Sequence, residues 1–533
     1  MAAESPAGAG KRLVLVAMIF AVAMMFIDQT IVALAIPELE QDLDLSSTGG
    51  QWIINGYLLA LSALFAFGGK LADVVGHRRM VLIGVIGFAT ASALCGATPT
   101  GDLGEAWMIF FRIVQGAFAA LLFPAALAIV VGAFPLRERG RALAVFFAVT
   151  GGLTAIGPLA GGYLTEWTWR AIFWVNIPVA IIAVLLTLKS NPAQEKRAVR
   201  VDYRGALLIS AAMGLVVLGL QQSAVWGWED ARTIGCIVVG LLLLVAFVLE
   251  QLGKEQPLIQ MRIFAQRAFS ADNAVLFLMS ATFVPLFFFA SIYAQVALGE
   301  SASNAGLFLL VFFGGFAIAS QWGGRMLDAG GAKRPVVLGC ALAAVGFWLW
   351  GQQLPDLSFD GQWYYLAMAG AGIGLVLGPV STDAINRAPH TSYGEVTGIT
   401  QTVRNFGGSL GLAIMGSVFL SQNLSRIEDT LTARGLPAAR ADEIAHALTG
   451  AGSGGDQAGF AEQAGSGARA IYHAIQVDVA DSTQIVAYVM AGIMAAAFVV
   501  ARLWMTGGRA PDPLEEAAKQ EEPPAVAPAA PAA

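Results

Sequence analysis

The feature that most constrains this chain is a succession of fourteen apolar runs, each about as long as a membrane is thick. A helix needs about 20 mostly apolar residues to cross bilayer hydrocarbon. Runs of that kind occupy residues 13–36, 51–71, 79–99, 106–133, 139–163, 170–189, 205–222, 233–250, 268–297, 303–325, 335–352, 362–384, 395–420 and 483–504. In hydrocarbon every backbone N–H and C=O must find its partner within the protein, and segments of this length do so as α-helices. The expected fold class is an all-α integral membrane protein. Its 13% charged residues fit that reading, since a soluble domain carries about 25%. The first run follows Lys11-Arg12 and has a small-residue stretch at Ala33–Ala35, as a secretory leader would. It continues through Asp28 to Pro37, however, and further runs follow, so it reads as a retained first span.

An even number of spans puts both termini on one side, and the basic residues say which. Of 31 Lys and Arg, 23 fall on the side of the termini, and six (Arg170, Arg232, Arg426, Arg434, Arg440, Arg469) fall opposite. The remaining two, Arg112 and Arg404, lie within runs. By the positive-inside rule both termini are expected in the cytoplasm, with the protein in the plasma membrane. Two long polar segments complete the chain. Residues 421–480, rich in Ala, Gly and Ser, read as an extracellular loop with a short helix over Pro437–Leu448, and 506–533 reads as a disordered tail rich in Pro, Ala and Glu.

Internal repetition organises the runs. The stretch GGKLADVVGHRR, Gly68–Arg79, returns as GGRMLDAGGAKR at Gly323–Arg334. Both have a Gly pair, an Asp in the sixth place (Asp73, Asp328), a Gly in the ninth (Gly76, Gly331) and a basic residue last (Arg79, Arg334). Each copy falls in a short connection on the side of the termini, after the second run of a set of six, once 205–250 is set aside as two inserted helices. The expected organisation is a tail over 1–12, a six-helix bundle over 13–190, two extra helices over 205–250, and a second six-helix bundle over 268–505. Repeated halves of this kind are the footprint of a secondary transporter with its site between them near the midplane.

A charge deep in a span is costly and so marks function by default. Asp28, in FIDQTIVALAIP, is the acid well inside a run; Asp272, Asp383 and Glu395 lie near run ends, where a solvated carboxylate is expected. A carboxylate alone in a low-dielectric cavity exchanges protons near physiological pH and attracts cations. A structural Asp bonded to a neighbouring helix is the alternative. Arg112, in FRIVQGAFAA, can bias a nearby carboxylate toward releasing its proton, or can serve backbone carbonyls. Arg404 either snorkels to the interface or takes part in gating or substrate contact. In TGGLTAIGPLAGGYL, Gly151, Gly157, Gly161 and Gly162 clear one helix of side chains while Pro158 bends it, which suits close approach to a moving partner. Trp52 and Tyr57 offer aromatic surface to a cavity or anchor at the interface, and Trp167, Trp169 and Arg170 are expected to anchor at the outer boundary. Cys95, Cys236 and Cys340 lie in apolar runs and read as small buried hydrophobes. No metal-ligand spacing or phosphate-binding loop is visible, so neither a metal nor ATP is expected.

These stretches resemble the major facilitator superfamily and, within it, the fourteen-span drug:proton antiporters. GGKLADVVGHRR is similar to that superfamily's signature between spans 2 and 3, with His77 where a basic residue is common. The resemblance implies a latch on one state of the transport cycle, formed by Gly69, Asp73, Gly76, Arg78, Arg79 and, in the looser second copy, Asp328 and Arg334. DQTIVALAIP looks like the span-1 signature, whose Asp is matched by Asp28. Arg112, Gln115 and Gly116 match a span-4 motif associated with proton coupling. The Gly-Pro pattern of the fifth run resembles the antiporter signature, and QWIINGYLLALSA and WTWRAIFWVNIPVA look like segments of the same branch.

The implied function is proton-coupled export of lipophilic or amphiphilic small molecules by alternating access. Asp28 and Arg112 would couple protons, and Gln29, Trp52, Asn55, Tyr57, Gln115 and Arg404 would line the substrate cavity. The proton is the coupling ion and no cofactor is expected. The partners are a small molecule, protons and the bilayer, with no nucleic acid, and the protein is expected to act as a monomer. Rival readings are a symporter or facilitator, which the fifth run disfavours, a non-transporting receptor or scaffold, for which no signalling domain is recognisable, and a membrane enzyme, for which no nucleophile or metal set converges.

Overall fold

The computed structural model describes residues 8–46, 48–134, 156–192, 201–387, 393–434, 437–441 and 465–509, with single residues at 142, 145, 146, 149, 153, 154 and 445. Among the described residues fourteen helices of twelve or more residues follow one another: α1 (Gly8–Leu43), α2 (Gly49–Val75), α3 (His77–Gly96), α4 (Gly104–Ala133), α5 (Ile156–Trp167), α6 (Ala171–Ser190), α7 (Tyr203–Trp226), α8 (Ala231–Gly253), α9 (Arg267–Ala297), α10 (Ala302–Gly330), α11 (Lys333–Gln353), α12 (Trp363–Asn386), α13 (Tyr393–Ala433) and α14 (Gly465–Trp504). Thirteen are long and apolar enough to cross a membrane. The remaining one, α5, is the described part of the fifth expected span. The all-α membrane fold expected from the apolar runs is what the chain adopts, and no strand occurs among the described residues.

The two halves pack alike. Helix α4 lies against α1, α2 and α3, as α12 lies against α9, α10 and α11; α6 meets α1 and α3 as α14 meets α9 and α11. The correspondence holds at single residues. Gly68 of α2 abuts the backbone of Ala120 on α4 and a Cβ on Gly69 would lie 3.5 Å from Pro124, while a Cβ on Gly323 of α10 would lie 3.3 Å from Leu375 and Pro379 of α12. Ala120 and Leu375, like Pro124 and Pro379, are separated by the same 255 residues as the two glycines. A small residue is needed there because helix backbones come into contact.

The repeated stretch is not the loop it was expected to be. Helix α2 runs on to Val75 and α3 starts at His77, so a single residue, Gly76, makes the turn. In the second half Gly331 and Ala332 do so between α10 and α11. Gly76 and Gly331 have φ of 101° and 87°, a region open to glycine and strained for other residues. The segment expected as a loop over 421–480 is also largely helical. Helix α13 reaches Ala433 and α14 begins at Gly465, so both project well beyond the apolar runs that located them. Of the short helix expected over 437–448, residues 438–441 are helical and most of the rest lies outside the described residues. The expected tail from 510 and Gly151 also lie outside them.

Among the described residues the bundles meet chiefly through α2 with α13, α5 with α10 and α1 with α9, with smaller contacts of α4 with α13 and α1 with α10. The extra helices are not a separate unit. Helix α7 packs on both α2 and α13, and α8 covers α7 while leaving Val, Ile and Leu side chains exposed on its other side. Buried polar contacts fix α7 in place. The Asn55 amide meets Gln221 at 2.6 Å and accepts from Ser409 Oγ at 2.9 Å, and the hydroxyls of Ser223 and Ser417 lie 2.6 Å apart. At the other end of the hairpin, Asp202 caps α7 and pairs with Lys254 at 2.7 Å.

Candidate functional site

Arg112 and Gln115 are three residues apart on α4, so both project from one face toward α1. Asp28 meets them there. Arg112 Nη1 donates to Asp28 Oδ2 at 2.6 Å, and Gln115 Nε2 donates to Asp28 Oδ1 at 2.9 Å. The same Nη1 lies 2.7 Å from Gln115 Oε1, and Arg112 Nε donates to the Ile53 carbonyl of α2 at 2.9 Å. The guanidinium sits 4.5 Å above the Tyr57 ring and 5.9 Å from Phe173. Asp28 and Arg112 are each 1% exposed. Asp28 is therefore not the isolated carboxylate expected from the sequence, but half of a fully buried ion pair whose oxygens are both engaged.

The arrangement has a definite chemical consequence. A buried charge whose partner is removed costs about 3–5 kcal/mol. A proton on Asp28 would leave the Arg112 charge without its counter-ion, held by the Gln115 amide oxygen, the Ile53 carbonyl and the aromatic faces. Protonation and the packing of α1 on α4 are therefore linked, and a cationic ligand approaching Asp28 would compete with both Arg112 and the proton.

The residues expected to line a cavity divide into two groups. Asn55, Tyr57 and Gln115 are buried and engaged with protein neighbours, whereas Gln29, Trp52 and Arg404 are half-buried. Arg404 lies 3.5 Å from Gln401 on its own helix, at the limit of a hydrogen bond. Tyr57 OH has no hydrogen-bond partner. Within α5, Gly157 and Gly161 press against Thr30 and Ile31 of α1, and Pro158 lies opposite Gly306 of α10. Gly162 faces Ala302 and Ser303 of α10, whose backbone would lie 2.7 Å from a Cβ placed on it. The glycine face thus joins the N-terminal bundle to the C-terminal one at the side away from the termini. In the repeated stretch, Asp73 pairs with His77 one turn later at 3.2 Å, and Arg78 Nε is buried without a partner.

Two expectations at the outer and inner boundaries need correction. Trp167 is 77% exposed, as an interfacial anchor would be, but Trp169 is buried and donates to Asp42 Oδ2 at 2.8 Å, beside the Arg170–Asp42 pair at 2.9 Å. Asp272 and Asp383, expected to be solvated, are each 1% exposed. The Glu395 side chain lies outside the described residues. Sequence reasoning missed the Gln221 contact and the Asp383–Arg387 pair; the spacing of four residues between the latter two was the available signal for it.

Two pseudo-repeated helical bundles, the first of which holds a buried acid–guanidinium pair, define a membrane transporter of the two-bundle class. A profile of the Major Facilitator Superfamily matches residues 18–412, and the chain belongs to that superfamily. It is 34% identical over 417 residues to the tetracenomycin C resistance and export protein of Streptomyces glaucescens, covering 76% of each chain. It is 35% identical over 443 residues to the puromycin resistance protein of Streptomyces alboniger, covering 82% of this chain and 86% of the relative. Among solved structures, a bacterial homolog of the human lysosomal transporter Spinster, inward-facing and unoccupied, superposes with a TM-score of 0.61 at 16% identity. That likeness spans 94% of this chain and 98% of the other and concerns the fold.

Proposed function

We propose that the protein is a proton-coupled antiporter that exports lipophilic or amphiphilic small molecules, antibiotics among them, across the plasma membrane. The observation that carries this reading is the buried Asp28–Arg112–Gln115 cluster between α1 and α4. It offers one carboxylate that can exchange its guanidinium partner for a proton. The relatives named for resistance and export favour outward transport of drug-like molecules. Termini in the cytoplasm follow from the distribution of Lys and Arg. The outer seal is then the contact of Gly162 with Ala302 and Ser303, and alternating access requires α5 and α10 to part there.

In this cycle a proton arriving from outside binds Asp28, weakens its hold on Arg112 and displaces substrate. Arg112 favours the return of that proton to the cytoplasmic side. Gln29, Trp52 and Arg404 offer half-buried surface toward substrate, and Asn55 and Tyr57 become available to it if the bundles move apart. The repeated Gly76 and Gly331 turns, with Asp73, Arg78, Arg79, Asp328 and Arg334 around them, hold one state of the cycle. The protein acts as a monomer with the proton as its coupling ion.

The test is efflux of ethidium from proteoliposomes driven by an imposed pH gradient. Wild type should transport, and Asp28→Asn should lose gradient-driven efflux while still binding ethidium. Intact efflux in Asp28→Asn would refute the role given to Asp28.

A further inference from the structure

We infer that Asp272 and Asp383, with Arg387, form a second proton-binding site, held between the first and fourth helices of the C-terminal bundle. Asp272 lies in the first turns of α9 and Asp383 in the last turn of α12, where the two helices pack together, and both carboxyl groups are buried at 1% exposure and act on one another. Two carboxyl groups buried beside a single guanidinium cannot both be ionised without leaving one negative charge uncompensated, which favours a proton on one of them. Arg387, one turn beyond Asp383, donates from Nε to Asp383 Oδ2 at 2.7 Å. With one shared proton, two carboxyls and one guanidinium sum to zero charge. Without it the cluster is a net buried anion, which is costly.

The pair is not a duplicate of the first site. Counting back 255 residues places Ala128 where Asp383 stands and Gly132 where Arg387 stands, so the first half has no such group at that level of α4. Yet it uses the same helix pair: α1 and α4 carry Asp28 and Arg112, while α9 and α12 carry Asp272 and Asp383. The depth differs, because Asp272 is at the start of α9 whereas Asp28 is some 20 residues into α1.

A purely structural pair would have its oxygens engaged. Here Asp272 Oδ2 and Asp383 Oδ1 are buried without a hydrogen-bond donor, as is Asn273 Oδ1 beside them. Among the described residues, the charged groups acting on the pair are each other and Arg387. Nearby cations are committed elsewhere: Arg267 donates to the Leu503 carbonyl and Lys333 to that of Met505, both on or just after α14. Arg387 also donates from Nη2 to the Gly508 carbonyl at 2.7 Å, so the site is tied to the segment leaving α14. Loss of the proton to water on the side of the termini would therefore be linked to loosening of α9, α12 and that segment.

The site is independent of antiport through Asp28, and the experiment separates the two. Infrared difference spectra between pH 5 and pH 9 on purified protein in nanodiscs, with isotope-labelled aspartate, read protonated carboxyl groups directly. Wild type should show the carbonyl band of a buried carboxyl lost at high pH. That band should be missing in Asp272→Asn and in Asp383→Asn, and present in Asp28→Asn. Since one proton is shared, either of the first two variants suffices should the other fail to fold. Arg387→Gln, lacking the countercharge, should keep the band to higher pH. A band that survives in Asp272→Asn or Asp383→Asn, or that is lost in Asp28→Asn alone, overturns the inference.

Discussion

Gly76 and Gly331, 255 residues apart in the chain, make the same turn in the two bundles, each with positive φ and each between the second and third helix of its half. A side chain on Gly331 would run into the Gly508 carbonyl, and that segment is held by Arg387 and follows the Lys333–Met505 contact.

Replacing either glycine with alanine should therefore be destabilising. Each variant should carry the strain of a backbone conformation open mainly to glycine, about 1–3 kcal/mol. Gly331→Ala should in addition displace the segment after α14. Thermal unfolding in detergent should place both variants below wild type. A wild-type midpoint in either variant would contradict this.

Arg112→Ala leaves Asp28 buried without its counter-ion, and about 3–5 kcal/mol of destabilisation is expected. Adding Asp28→Asn removes the orphaned charge, so the double variant should be more stable than Arg112→Ala alone. Arg112→Lys should not substitute, since an ammonium lacks the fork that serves Asp28 and the Ile53 carbonyl together. Chemical denaturation of the set provides the comparison.

The inserted helices should be coupled to both bundles through side chains. In a double-mutant cycle of Ser223→Ala and Ser417→Ala, a coupling of about 0.5–1.5 kcal/mol is expected. Asn55→Ala should cost about 1–3 kcal/mol, because the Gln221 amide and the Ser409 hydroxyl would lose a buried partner. Additive effects at the serine pair would show that α7 is merely adjacent.

The base of the inserted hairpin should respond to pH at both extremes. Burial alone would raise Asp202, but hydrogen bonds from Gln251, Lys254 and the Gly205 amide outweigh it and hold the carboxyl below its ordinary value of 3.8. For Lys254, burial acts downward and is outweighed by Asp202 and Glu250, so the amine is held above 10.5. A lowered acid contributes stability above its unfolded pKa and loses it as pH falls through the folded value. A raised amine contributes below its unfolded pKa and loses it as pH rises. Protection of the α7 start from hydrogen exchange should thus be flat between about pH 4 and 10 and fall outside that window. Asp202→Asn should flatten the acid limb.

Bulk at Gly162 should open the seal between the bundles. With Ala302 and Ser303 at 2.7 Å from where its Cβ would lie, Gly162→Val cannot keep that approach. Spin-label distances between the ends of α5 and α10 should lengthen relative to wild type.

The sequence by itself determined the class of fold and its duplication. Apolar runs of bilayer length can bury their backbone polar groups in few ways, and the 255-residue repeat reappears in space as Gly68 on Ala120 and Gly323 on Leu375. Asp28, Arg112 and Gln115 were legible one by one, because a polar side chain deep in an apolar run is conspicuous. Their partnership was not, since it joins residues 84 apart on separate helices, and periodicity along one helix says nothing about its neighbour. Likewise Asp272 and Asp383 look solvated when position in a run is the guide, and packing of α9 on α12 is what buries them. Helix ends were misplaced at Gly76 and over 421–480 because helical backbone continues after hydropathy falls. Only the tertiary structure decided which charges meet, because burial and pairing are properties of the space between helices.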